Sequence, residues 1–125
     1  MFLKNKPQME VLIGPETLIK GDLLTKGTAR IDGQVEGNVN ADWIIVGETG
    51  SIKGEIKSRG LIVDGKIEGN ISTTEIVEIK SHGEVHGNIQ TPKLAISEGA
   101  FFHGHSHMVK KEGESKKTIL PLSPA

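Results

Sequence analysis

The sequence predicts an all-β fold, a single-stranded parallel β-helix of about six stacked coils, and three observations carry that prediction. A five-residue unit, apolar-x-Gly-x-apolar, recurs six times at a nearly constant pitch, a second alternating triplet precedes most copies, and the composition offers aliphatic residues in place of aromatic ones. With 16 glycines, 3% aromatic residues and neither tyrosine nor cysteine among 125 residues, a core has to be assembled from Ile, Val and Leu, which suits strands.

The units read IKGDL from Ile19, VEGNV from Val35, IKGEI from Ile52, IEGNI from Ile67, VHGNI from Val85 and a degenerate FHGHS from Phe102. Their central glycines, Gly21, Gly37, Gly54, Gly69, Gly87 and Gly104, are spaced 16, 17, 15, 18 and 17 residues apart. Four copies carry a further glycine four residues earlier, at Gly33, Gly50, Gly65 and Gly83. The preceding triplets are Ala29-Arg30-Ile31, Ile44-Ile45-Val46, Leu61-Ile62-Val63, Val77-Glu78-Ile79 and Leu94-Ala95-Ile96. Residues i and i+2 of a strand share a face, so each triplet turns its outer members inward and its middle member outward.

Period-2 alternation with frequent glycine opposes a helical solenoid. A meander of hairpins would reverse direction at each turn and would not stack equivalent residues at one pitch. In a parallel β-helix each coil of about 17 residues lies roughly 4.8 Å above the last, so six coils stand about 30 Å tall. The residues before the central glycines should then form one column, Lys20, Glu36, Lys53, Glu68, His86, His103, and those after it another, Asp22, Asn38, Glu55, Asn70, Asn88, His105. The first column alternates in sign over four coils, a mark of register rather than of stability. The chain divides into an N-terminal tail at residues 1–16, expected to be disordered around Pro7 and Pro15, a β-helix at 17–108, and a lysine-rich disordered tail at 109–125.

Several function classes are disfavoured. A net charge of −1 argues against a nucleic-acid binder, and the lack of cysteine removes thiolate and disulfide chemistry. No apolar run is long enough to span a membrane, and the N-terminus lacks the pattern of a signal peptide. No Gly-x4-Gly-Lys-Ser/Thr loop offers a nucleotide cradle. Histidines cluster late, at His82, His86, His103, His105 and His107, and HGHSH sets three of them on one strand face. The outward face gives no pocket and no carboxylate is placed to orient the rings, so no metal, cofactor or catalytic residue is assigned.

The repeated lines IDGQVEGNV, VDGKIEGNI and EVHGNI across residues 17–108, with short tails and the opening MFLK, resemble the bactofilins, a family of polymer-forming bacterial cytoskeletal proteins. The resemblance implies a right-handed β-helix, nucleotide-independent assembly into non-polar filaments, and attachment to the inner face of the cell membrane, hence a cytoplasmic location. The uneven pitch disfavours the left-handed hexapeptide helix.

Function then follows from the two ends of the stack, where backbone groups and a slice of core lie uncovered and no capping segment is evident. The expected polymerisation interface comprises Leu18 and Ile19 in the first coil with Phe101 and Phe102 in the last. Phe2, Leu3, Lys4 and Lys6 suit a shallow membrane anchor that many copies in a filament would strengthen. Trp43, Ile45 and Ile62 form an expected outer apolar patch suited to lateral contact. The partners expected are the chain itself, the inner membrane surface and cell-wall synthesis or hydrolysis enzymes, without nucleic acid. The alternatives are a trimeric β-helical enzyme, of carbonic anhydrase or acyltransferase type, and a monomeric adaptor.

Overall fold

Each coil of this chain is built from three short strands, and successive coils pair in parallel throughout, as a computed structural model describing residues 9–109 shows. The first coil contains β1 (Met9–Ile13), β2 (Leu18–Lys20) and β3 (Leu23–Leu24), and the second contains β4 (Thr28–Ile31), β5 (Gln34–Glu36) and β6 (Val39–Asn40). The third opens with β7 (Trp43–Val46) and β8 (Ser51–Lys53). From there the chain stays extended around some corners, so that β9 (Ile56–Val63) and β11 (Ile71–Ile79) link one coil to the next on either side of β10 (Lys66–Glu68). The stack closes with β12 (Glu84–Thr91), β13 (Leu94–Ile96) and β14 (Phe101–Met108). Face 1 is lined by β1, β4, β7, the later halves of β9 and β11, and β13. Face 2 runs from β2 through β5, β8 and β10 to the starts of β12 and β14. Face 3 runs from β3 through β6 and the starts of β9 and β11 to the ends of β12 and β14.

The register is the one the repeat requires. Lys20, Glu36, Lys53, Glu68, His86 and His103 stand in one file. Inward residues stack likewise: Val35, Ile52, Ile67 and Val85 on face 2, Ile31, Val46, Val63 and Ile79 on face 1, and Val39, Ile56, Ile71 and Ile89 on face 3. Every one of these is at most 1% exposed, and the buried hydrophobic core contains only Ile, Val, Leu and Ala. Aliphatics fit because a coil interior this narrow stacks branched side chains at the strand spacing with no room for rings.

The central glycine is a corner. Gly37, Gly54, Gly69, Gly87 and Gly104 all have φ between +143° and +155°, and a Cβ at each would land on the carbonyl oxygen of the glycine one coil earlier. Both the backbone conformation and the close approach exclude a side chain. Gly21, in the first of the described coils, shares the conformation, with φ 137°, but nothing lies within 4 Å of the Cβ position.

The glycine bends the chain, so the repeat unit straddles the corner between faces 2 and 3 and each coil has three sides. Two expectations need correction. The corner at Gly104 parts His103 from His105 and His107, which were expected on one strand face. The solenoid also begins earlier than residue 17: β1, inside the segment expected to be disordered, pairs with β4, and Ile13 is 3% exposed within the core. Pro15 and Glu16 form the turn after β1, where no ladder hydrogen bond is lost. At the other end β14 stops at Met108. Among the described residues no helix is long and apolar enough to cross a membrane.

Candidate assembly site

The two ends of the stack are where its apolar surface lies. The large hydrophobic side chains that remain exposed, between 48% and 78%, are Leu12, Leu18 and Leu24 in the first coil and Ile96, Phe101 and Met108 in the last. The hydrophobics that touch the core while staying partly open are likewise terminal: Val11, Ile19 and Leu23 at one end, Leu94, Ala100 and Phe102 at the other. The four coils between contribute none to either group among the described residues. For the inward residues this is a property of position, since an end coil has a neighbour on one side only; Leu12, Leu18, Leu24 and Phe101 are exposed because they face outward.

Each pair chosen from sequence divides into one inward and one outward residue. Ile19 stands over Val35 and faces the core, whereas Leu18 stands over Gln34 and faces outward. Phe102 stacks on Val85, which is fully buried, and closes the core from below. Phe101 stacks on Glu84 at the outer surface, with its ring 5.4 Å from that of His86 and lying parallel to that of His103 at 6.5 Å. Sequence reasoning passed over Val11, Leu23, Leu94, Ile96 and Met108. Ile96 and Met108 stand in register with the inward Ile79 and Thr91, so counting in twos from the repeat would have found them. Leu12, Leu18 and Leu24 form an outward collar, one leucine per face of the first coil.

The outer patch on face 1 is less open than expected. Ile45 and Ile62 do stack, but both are half-buried, between Arg30 on one side and Glu78 on the other. Trp43 lays its indole across Gly60, where any Cβ would collide with the ring. Phe2, Leu3, Lys4 and Lys6 lie outside the described residues.

Polar stacking on the outside is carried by hydrogen bonds more than by ion pairs. Among the described residues the Lys20 to His103 file contains no ion pair, and Glu68 instead meets Lys66 of its own strand at 3.5 Å. In the next file Asp22 accepts the Asn38 N–H at 3.0 Å and Asn38 accepts the Glu55 N–H at 3.1 Å. Inside, Thr73 donates to Thr91 at 2.6 Å and Thr91 to the Lys93 carbonyl at 3.0 Å, while the buried Ser58 hydroxyl has no partner. One imidazole does have an orienting carboxylate, contrary to expectation: His86 Nε2 lies 2.6 Å from Glu84 Oε2. That hydrogen bond holds the Glu84 carboxyl below its ordinary range, against desolvation and helped by the nearby His86 and Lys66 charges.

A stack of parallel coils with apolar, unpaired ends meets its counterpart among known proteins. The family model of the bactofilins, described as polymer-forming cytoskeletal, matches residues 11–107. This chain belongs to the bactofilin family. It is 35% identical over 98 residues to the bactofilin BacP of Myxococcus xanthus, which covers 78% of this chain but 41% of BacP. To BacO of the same organism it is 29% identical over 102 residues, 81% of each chain. The chain thus spans about two fifths of the length of BacP. In three dimensions it is similar to the Thermus thermophilus bactofilin solved by cryo-EM in double-helical filaments, with a TM-score of 0.70, 30% identity, and 77% of this chain and 96% of that one covered. It is also similar to the cytoskeletal bactofilin BacA solved by solid-state NMR, with a TM-score of 0.68, 32% identity, and 79% and 95% covered. Bactofilins are structural cytoskeletal proteins, which sets the enzyme alternative aside.

Proposed function

We propose that this chain polymerises end to end, without nucleotide, into non-polar filaments that lie on the inner face of the cell membrane and position cell-wall or morphogenesis enzymes. The observation that carries the reading is the confinement of exposed large hydrophobics to the first and last coils. Stacking like ends, first coil on first and last on last, covers both slices of core, supplies partners to the open strand edges and leaves the filament without polarity. No step calls for nucleotide, since burial of the apolar ends is itself the driving force. Negative-stain microscopy of the purified protein in nucleotide-free buffer tests this: filaments are expected, and a persistent monomer or a compact trimer at high concentration refutes it.

Membrane attachment follows from repetition. Phe2 and Leu3 with Lys4, Lys6 and the α-amino group bind an anionic leaflet weakly, and a polymer presents many copies at once. Deleting residues 2–6 is expected to release filaments from anionic liposomes without dissolving them. Retained binding would remove the anchor from the scheme. Trp43, Ile45 and Ile62 give face 1 an apolar strip for a second protofilament, a role consistent with the double-helical filaments of the Thermus thermophilus relative. Ile62→Lys should then yield single filaments.

A further inference from the structure

At the corner between faces 1 and 2, three residues from three successive coils converge. Glu48 lies in the turn after β7, Asp64 in the turn after β9 and His82 in the turn after β11, and one ligand atom of each falls within 4.8 Å of the other two. His82 Nδ1 is 3.3 Å from Glu48 Oε2 and 3.5 Å from Asp64 Oδ1. We infer that Glu48, Asp64 and His82 form a binding site for a divalent transition metal of the zinc class, which would clasp the third, fourth and fifth coils together at one edge of the stack.

Two of the three separations already match those around a bound ion. A tetrahedral ion with bonds of about 2.1 Å holds its ligand atoms about 3.4 Å apart, which the two measured separations bracket. The ligands are also pre-set by the solenoid. The Asp64 carboxylate is steered by the His82 backbone N–H, 3.2 Å from its Oδ1; Lys80 N–H to the Val63 carbonyl at 2.7 Å ties the two coils, and Gly83 N–H to the Lys80 carbonyl at 2.8 Å closes the turn that carries His82. One neutral imidazole and two carboxylates balance a divalent charge. Mixed nitrogen and oxygen donors favour zinc over magnesium or calcium, which prefer oxygen alone.

Three protein ligands leave a tetrahedral ion one open position. Glu48 and Asp64 border a surface cavity of about 570 Å³ with Ile45 and Ile62 in its lining and Lys80 at its edge, so water or a group from another molecule has room to complete the shell. The late histidines stand elsewhere on the stack: His103 on face 2, and His105 and His107 beyond the corner at Gly104 on face 3.

The site does not depend on assembly, and titration calorimetry of the full chain with zinc chloride and with magnesium chloride tests it. One zinc per subunit is expected, with no heat from magnesium. Loss of a group that only orients a ligand typically costs ~10–100-fold in metal affinity, so losing a direct ligand in His82→Gln should weaken zinc by at least that much. Glu48→Gln should weaken it too, with the circular dichroism of both variants unchanged. The triple replacement of His103, His105 and His107 by Gln should leave the one-site isotherm intact. The inference is overturned if His82→Gln binds zinc like the parent, or if the triple variant alone abolishes binding, which would mean adventitious capture by the exposed histidine row.

Discussion

Phe102→Arg is the sharpest perturbation of the end-to-end reading. Phe102 packs on Val85 and leaves part of its ring open on the last coil. Covering that remainder in a junction of like ends contributes on the order of 1 kcal/mol per subunit. An arginine forfeits this and brings an unpartnered charge into a closed contact, at about 3–5 kcal/mol if fully enclosed and less where its long stem reaches the rim. A net loss of about 3 kcal/mol at each subunit corresponds to roughly two decades in the critical concentration, since 1.4 kcal/mol is a factor of ten. Pelleting over a concentration series with negative-stain microscopy reads the shift, and circular dichroism checks that the solenoid is intact. Because the two ends are separate, Phe102→Arg alone should stop at dimers joined through their first coils, and adding Ile19→Arg should give monomers by sedimentation velocity. Phe101→Arg, at the outer surface, should shift the critical concentration by less than about tenfold. A folded Phe102→Arg protein that polymerises at the parent concentration would refute the account of the junction.

Other substitutions probe the stack itself. Gly69→Ala sets a Cβ against the Gly54 carbonyl at φ 144° and should cost more than the ~1–3 kcal/mol of a strained backbone alone, whereas Gly21→Ala, with the same conformation and open space, should show only the strain; thermal melts of the two separate the terms. Thr91→Val strands the buried Thr73 hydroxyl and should destabilise by about 1–3 kcal/mol in denaturant titration, while Ser58→Ala, which removes a hydroxyl already without a partner, should be neutral or stabilising. Glu84 has a folded pKa below its unfolded value of about 4.3, so its contribution is present above that pH and is lost as pH falls through the lower folded value; in His86→Gln an NMR titration should find the carboxyl back near its ordinary range.

The fold was legible because a solenoid repeats its local rule. Period-2 alternation set which residues face inward, and the constant interval between glycines set which residues stack, so the file from Lys20 to His103 could be written down before any coordinates. The third side of each coil was not legible. Its strands are as short as two residues, β3 and β6, and alternation alone does not show that the chain turns at the glycine before them. The start of the solenoid was missed for a related reason: MEVLI carries no glycine unit, and only its pairing with β4 marks it as a strand.

By itself, then, the chain's order of residues determined the parallel stack, its register and the family to which it belongs, because each follows from contacts repeated at one interval. Tertiary structure alone decided that the Phe101 ring lies beside those of His86 and His103, that Ile45 and Ile62 are half covered, and that Glu48, Asp64 and His82 converge at one corner. Those outcomes depend on how corners are angled and how side chains from different coils settle against one another, and no local pattern encodes that.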